Sequence, residues 1–389
     1  MEPLACVASV TAGAVEIWVG TQWPSQVRDE AARLTGLPAA QVKVNMLPMG
    51  GGFGRRAHID YAVEAVRIAQ ATGRPVKVMA TREDDMANAH VRPMTAHRID
   101  VGLDAEGRVL GWRHRFAADL VVPALYGQAR LDAQRGVDHI VAYHANVSSY
   151  DVPAHLAEHV YRDHGVRTAP WRGIGAGPNA FAIEAVIDDL ARLAGTDPVA
   201  YRLALLKDVR AKAVIEAAAA MAGWGRPREG TSQGTTLGIA FARLGLPQLG
   251  EAMAATVVEV ALDRASGRIR VPRMWCAADI GLPVQPRNAA RQVEGSLLWG
   301  LSSALTERLT FKGGAVVEKN FGDYEILRAS DTPEVEVRII RSGETPLPAG
   351  ELGLGTVAPA ISNAVLAATG KRLHAMPFNT GRVLAALRA

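Results

Sequence analysis

Apolar positions along this chain fall into short runs whose spacing alternates between strand-like and helical, with glycine and proline at the changes. Leu4–Val10 and Val15–Val19 flank Thr11-Ala12-Gly13 and predict a hairpin. Pro24 opens a predicted helix that runs to about Leu34 and stops at Gly36, with proline first and glycine last. Val42–Val44 reads as a strand leading into a triple glycine, Ile59–Gln70 as a helix closed by Gly73, and Val76–Ala80 as a strand. Thr81 with Asp84 matches a capping box, so Asp84 and Asp85 read as helix-start residues, not cation ligands. Ala96–Leu103 and Val109–Ala117 flank Asp104-Ala105-Glu106-Gly107 and predict a second hairpin. Residues 119–150 read as helix and loop lying over a site.

Further along, Asn179–Ala194 is strongly amphipathic, Asp197-Pro198 begins another helix, and Lys212–Ala222 a third. The Gly/Arg/Ser-rich stretch 225–235 is the best candidate boundary, dividing the chain into 1–224 and 225–389. Beyond it, Thr236–Phe241, Thr256–Leu262 and Arg268–Ala278 predict antiparallel strands. Arg287–Leu305 predicts a long helix, Val335–Ile340 a strand, and Val357–Ala368 a helix ended by Gly370; a last helix starts near Thr380. Strands and helices mix without regular βαβ alternation, which predicts an α+β fold of two subdomains with mixed sheets and packed helices.

Composition narrows the function classes. The 389 residues are 49% hydrophobic and 21% charged, as in an ordinary globular protein. A net charge of +4, with dispersed Lys and Arg, gives no nucleic-acid footprint. Two cysteines, Cys6 and Cys276, are too few for a four-thiolate iron–sulfur cluster, so electrons handled here leave through another polypeptide. No apolar run is long enough to span a bilayer and the first residues carry no signal-peptide pattern, so the sequence by itself points to the cytoplasm. Export with a signal-bearing partner would make it periplasmic.

Four segments carry candidate chemistry. Gly50-Gly51-Gly52-Phe53-Gly54 lets backbone approach an anion or a flat ring, or simply makes a tight turn; Arg55-Arg56 follow where a P-loop has Lys and Ser/Thr. Arg172 lies between Trp171 and Gly173-Ile174-Gly175, a construction suited to orienting a substrate and stabilising negative charge. Ala176, Gly177 and Asn179 then start a helix whose N-terminus suits a phosphate. Gln292-Val293-Glu294-Gly295 opens the long helix, and Gly350-Glu351 precedes Val357-Ala358-Pro359-Ala360. His155 and His159, four apart with His164 nearby, would share a helix face and offer a zinc site, although such histidines are more often surface or core groups.

In this order the segments resemble those of the molybdenum hydroxylases, the xanthine dehydrogenase/aldehyde oxidase family, and most closely the isoquinoline oxidoreductase-like large subunits. Gly-Gly-Gly-Phe-Gly-Arg-Arg at 50–56, Thr21-Gln22 upstream, Asn320-Phe321 with Asp323-Tyr324, and the Val357–Ala364 run carry the likeness. Trp171 and Ile174 stand where the family has phenylalanines, and Leu352 where it has proline. The resemblance implies a molybdopterin, as the cytosine dinucleotide common in bacterial relatives, held by Gly51, Gly52, Phe53, Gly54, Gly175, Ala176, Gln292 and Gly295. It implies Gln22 reaching a metal oxo group, Arg172 at the substrate, and Glu351 as the base, its pKa raised by burial; no residue is assigned as a metal ligand.

The likeness begins abruptly at Met1, in what resembles the middle of a family large subunit. Either a separate chain supplies the missing N-terminal part or this is a truncated product; the other implied partners are a small subunit with 2Fe–2S clusters and a cytochrome c as further acceptor. The implied reaction hydroxylates a small aldehyde or N-heteroaromatic molecule with oxygen from water. The competing expectations are a non-catalytic cofactor-holding or assembly subunit and, distantly, a zinc hydrolase. Metal analysis separates them.

Overall fold

A computed structural model describes residues 2–226, 234–246 and 250–389, so most of the predicted 225–235 connection lies outside the described residues. The first sheet has the order β3-β2-β1-β4. It comprises β1 (Ala5–Val10), β2 (Val15–Val19), β3 (Val42–Met46) and β4 (Val76–Met79). β1 is antiparallel to β2 and β4, and β2 runs parallel to β3. Helices α1 (Pro24–Thr35) and α2 (Asp60–Thr72) pack against it and end at left-handed Gly36 and Gly73. Leu4, Ile17, Val27 and Val66 meet in the resulting core. The short helix α3 (Arg82–Asn88) starts with the predicted capping box of Thr81 and Asp84.

A second sheet, β5-β6-β7, consists of β5 (Thr95–Leu103), β6 (Val109–Ala118) and β7 (Ala154–Tyr161). Between β6 and β7 lie α4 (Val122–Tyr126) and α5 (Gln128–Ala133), within the stretch read as helix and loop. β7 corrects the sequence reading, which put His155 and His159 on one helix face. The backbone there pairs in parallel with β6, Trp112 opposite His155 and Phe116 opposite His159, and this long-range pairing overrides the local spacing.

Helices α6 (Ala176–Leu193), α7 (Pro198–Leu205) and α8 (Val209–Met221) follow. The third sheet, β13-β10-β9-β8, is built of β8 (Thr235–Leu246), β9 (Gly250–Asp263), β10 (Arg268–Asp279) and β13 (Glu334–Ile340). Its first three strands are antiparallel neighbours as predicted, while β13 adds in parallel to β10. Phe311–Lys312 (β11) and Ala315–Val316 (β12) form a small separate ladder. Helices α9 (Pro286–Leu305), α10 (Leu354–Thr369) and α11 (Thr380–Arg388) complete the chain.

The arrangement is mixed α and β, as the sequence predicts. Its largest core joins the third sheet to α9 and α10 through Val258, Met274, Leu297, Val357 and Ile361. A second core crosses the predicted boundary: Trp112 and Ile187 from the first half pack with Ile239 and Trp275 from the second. Arg202, fully buried, ties α7 to α6 through Glu184 at 3.0 Å and Asp188 at 3.4 Å. These contacts fix α6, and with it the Trp171–Gly175 loop, against α10 and the loop at Glu351.

Candidate active site

The glycine-rich loop follows β3 directly. Phe53 has a φ of 51°, a left-handed conformation unusual for a phenylalanine, and Ile174 in the facing loop has a φ of 32°. Such strain persists where the surroundings over-determine it. Here the Phe53 carbonyl accepts the Arg172 backbone N–H at 2.9 Å, which locks the two loops together. Gly54 sits so close to the facing loop that a Cβ would lie 2.7 Å from the Pro170 carbonyl oxygen. Gln22 closes the other side: its Oε1 accepts the Gly54 N–H at 2.9 Å, leaving the amide Nε2 as a donor with no partner among the described residues.

Gly52 faces that same glutamine, and a Cβ there would be 2.3 Å from Gln22 Oε1. Because the obstacle is a flexible side chain, Gly52→Ala folds but displaces Gln22. If Gln22 matters for catalysis, Gly52→Ala and Gln22→Ala lower kcat alike, by about 10-fold to 100-fold, which steady-state kinetics of the two variants checks.

Arg172 is the hub. It is 6% exposed. Its Nε donates to the Gly350 carbonyl at 2.7 Å and its Nη2 to the Gln292 carbonyl at 3.0 Å. The guanidinium carbon lies 5.6 Å from the Phe53 ring centroid and 5.7 Å from that of Trp299. Those rings stack at 4.5 Å, and Trp171 approaches Trp299 at 6.0 Å. One arginine therefore touches all four segments singled out in the sequence. Two of its five N–H donors go to protein carbonyls, so it positions loops; Nη1 is turned toward Gly295, where a Cβ would lie 3.8 Å away.

Glu351 sits in the turn entering α10. The turn is tightened by the Leu354 N–H, which donates to the Glu351 carbonyl at 3.1 Å and to Ser296 Oγ at 2.9 Å. Gly300 lets α9 come close, since a Cβ there would be 2.8 Å from the Leu354 carbonyl oxygen. The Glu351 carboxylate is half-buried and makes no ion pair or side-chain hydrogen bond among the described residues. Burial raises its pKa above the ordinary 4.5, opposed by the positive field of Arg172. Burial in turn lowers the Arg172 pKa, with Glu351 opposing.

The structure thus brings together Gln22, Gly52, Phe53, Gly54, Arg172, Gln292, Gly295 and Glu351. Gly175 and Ala176 adjoin them at the α6 N-terminus, but the Gly175 N–H is already taken by the Ile140 carbonyl at 3.1 Å. A Cβ on Gly175 would be 2.3 Å from the Val141 carbonyl oxygen, so this glycine serves close packing of chain on chain. The histidines at 155, 159 and 164 do not converge. His155 is exposed on β7, His159 stacks on Phe116 at 5.0 Å, and His164 bonds Asp119 at 2.7 Å.

Sequence reasoning missed Trp299 and Arg92. Trp299 lies seven residues after Gln292, two helical turns along the same face, and that spacing is the signal that could have found it. Arg92 donates to the carbonyls of Arg172 at 2.7 Å and Ile174 at 3.2 Å, and nothing in its local sequence announces this.

Comparison with known proteins accords with this geometry. Residues 1–205 and 182–333 each match a model described as a molybdopterin cofactor-binding domain. The chain belongs to this molybdopterin-binding family, that of the xanthine dehydrogenase-type molybdenum hydroxylases. It is similar to the beta chain of isoquinoline 1-oxidoreductase from Brevundimonas diminuta, 35% identical over 97% of this chain and 48% of that one. It is also similar to a nicotinate dehydrogenase subunit of Pseudomonas putida, 33% identical over 99% of this chain and 33% of the relative. It spans about half or less of these relatives' length. Among solved structures, quinoline 2-oxidoreductase from Pseudomonas putida superposes with a TM-score of 0.85 over 100% of this chain and 74% of that one; at 16% identity this speaks to the fold alone.

Proposed function

We propose that this chain holds a molybdenum–pterin cofactor between the Phe53 loop, the Arg172 loop and the start of α9, and that Glu351 serves there as a catalytic base. The observation that carries the reading is the meeting of four distant segments on Arg172, beside a half-buried carboxylate that makes no ion pair and no hydrogen bond to another side chain among the described residues. The residues fit such a group. Gln22 Nε2 and the Gln292 amide have no hydrogen-bond partner among the described residues, and Cβ-free Gly295 and Gly350 lie beside the Arg172 guanidinium and the Gln292 amide. The thiols of Cys6 and Cys276 are buried in β1 and β10 and pushed up to about 12, which suits a metal that brings its own sulfur ligands.

When bound, the cofactor supplies oxygen transfer from water and a two-electron sink. The chain supplies position and proton handling. Glu351 in its ionised form accepts a proton as the oxygen nucleophile develops. Arg172 holds the Glu351 loop against α9 and keeps the carboxylate from neutralising too early. Phe53, Trp299 and Trp171 form an aromatic cluster beside the site, suited to an aldehyde or an N-heteroaromatic ring. Gln292 and Gly295 would hold the pterin, and Gln22 Nε2 would be the donor facing the metal. We further propose the cytosine dinucleotide form, a two-half organisation at 1–224 and 225–389, and export only with a signal-bearing partner. Electrons pass to a 2Fe–2S subunit and onward to a cytochrome c, and a further polypeptide completes the substrate wall. Accordingly, the purified chain alone is inactive, and adding these partners gives turnover with label from ¹⁸O-water in the product; full turnover by the chain alone sinks the partner requirement.

The pH dependence has a definite sign. Glu351 must be ionised to act, so the acidic limb of kcat/KM lies above the ordinary glutamate value of 4.5. For stability, a raised folded pKa means the folded chain binds the proton more tightly than the unfolded one. Stability therefore falls as pH rises from 4.5 through the folded pKa. Glu351→Gln is consequently more stable than wild type at neutral pH, and the difference vanishes below about pH 4. Denaturant melts of both proteins across acidic and neutral pH measure this directly.

A further inference from the structure

Behind the Phe53 loop lies a second cluster that the proposed reaction does not use. The chain leaves Gly54 through a single 3-10 turn, Arg55–Ala57, passes His58, and starts α2 at Asp60. His90, from the segment after α3, comes in from the other side. His58 Nδ1 is 3.2 Å from Asp60 Oδ1, and His90 Nδ1 is 3.6 Å from Asp60 Oδ2. The imidazole rings lie 3.9 Å apart, and one donor atom from each of the three residues falls within 4.8 Å of the others. Both Nδ1 atoms are buried; His58 Nδ1 lies within hydrogen-bonding distance of Asp60, whereas His90 Nδ1, at 3.6 Å, is too far for one. His90 is only 7% exposed. Two buried ring nitrogens converging on one carboxylate, that of His90 without a hydrogen bond, are unusual in a protein interior.

We infer that His58, Asp60 and His90 bind one divalent transition-metal ion of the zinc class. Metal–ligand bonds of about 2.0–2.2 Å place tetrahedral donors about 3.3–3.6 Å apart, and one donor atom from each residue already lies within 4.8 Å of the others, so small side-chain rotations complete the set. Arg55 does not exhaust the carboxylate. It donates to Oδ1 at 2.9 Å and Oδ2 at 2.8 Å, and each oxygen keeps a second lone pair. The guanidinium instead acts as an outer partner that orients Asp60. It also cancels the carboxylate charge, which disfavours calcium and magnesium with their need for several oxygen anions. Two imidazoles favour zinc, cobalt, nickel or copper. His58 is partly exposed, its side chain at 18%, and gives the ion an entry path and a solvent-filled fourth position.

Such an ion joins the turn after the Phe53 loop to the strand-like segment that carries Arg92, whose bonds hold the Arg172 loop. Its role is to brace, and the inference stands on these three residues whether or not the molybdenum reading is right.

The test is a Co²⁺ titration of the metal-stripped chain of residues 1–389, followed by its visible d–d absorption, with Zn²⁺ as competitor. One saturable equivalent per chain, displaced by Zn²⁺, is expected. His90→Ala and His58→Gln each weaken it by at least about 100-fold, the upper end of what losing an outer-shell partner costs. His155→Ala, on exposed β7, leaves it unchanged. Circular dichroism verifies the fold of each variant, and the partly exposed His58 position serves should the His90 variant not fold. A wild-type chain that takes up no Co²⁺, or a His58→Gln chain that binds it as tightly as wild type, overturns the site.

Discussion

Glu351→Gln lowers kcat by about 100-fold to 10,000-fold, the range a positioned general base contributes. The substitution keeps the shape of the side chain and removes only its capacity to accept a proton. Because the carboxylate makes no ion pair and no hydrogen bond to another side chain among the described residues, its replacement orphans no other side chain, and the fold persists. Cofactor content is therefore unchanged while turnover is lost. Steady-state kinetics on the assembled enzyme, paired with molybdenum and pterin analysis of the same preparations, separates this outcome from a failure to bind cofactor. Undiminished turnover would remove Glu351 as the base and would favour a chain that only holds the cofactor.

Arg172→Ala has the second large effect, and it acts on both structure and rate. Two carbonyls, those of Gly350 and Gln292, lose their donor, at about 1 kcal/mol or more each. The loop bearing Glu351 then loses its Gly350 tie, though Ser296 still holds the Leu354 end to α9, and the Phe53–Trp299 stack loses the guanidinium beside it. A stability loss of about 2 kcal/mol and a fall in kcat of about 100-fold to 1,000-fold are expected. Arg172→Lys retains the charge but lacks the planar fork that reaches both carbonyls, so it recovers little of either. Thermal melts and kinetics of the pair decide the matter: a lysine variant equal to wild type would show that Arg172 acts through charge alone.

Much of the fold is legible where a single helix or hairpin carries its own punctuation. Gly36, Gly73 and Gly370 end helices in the left-handed conformation expected of them, and Thr81 with Asp84 closes the predicted box. What the local pattern conceals is pairing at a distance. β7 looks helical by its histidine spacing and becomes a strand because β6 offers it a parallel edge. The same limit applies to the site. Residues in distinctive segments, such as Phe53, Arg172 and Glu351, can be read from the chain. Arg92 cannot, since its importance comes from two carbonyls some eighty positions away. His58 and His90 escape notice for the same reason: they become neighbours only once α2 and the segment after α3 fold onto Asp60.

The central claim is that one molybdenum atom sits where these segments meet. The most direct measurement is anomalous diffraction at the molybdenum absorption edge, on crystals of the chain loaded with cofactor in its assembled enzyme. The account predicts a single strong peak per chain in the space bounded by Phe53, Gln292 and Glu351. A molybdenum peak elsewhere on the chain, or none in crystals that contain one molybdenum per chain by analysis, would contradict it.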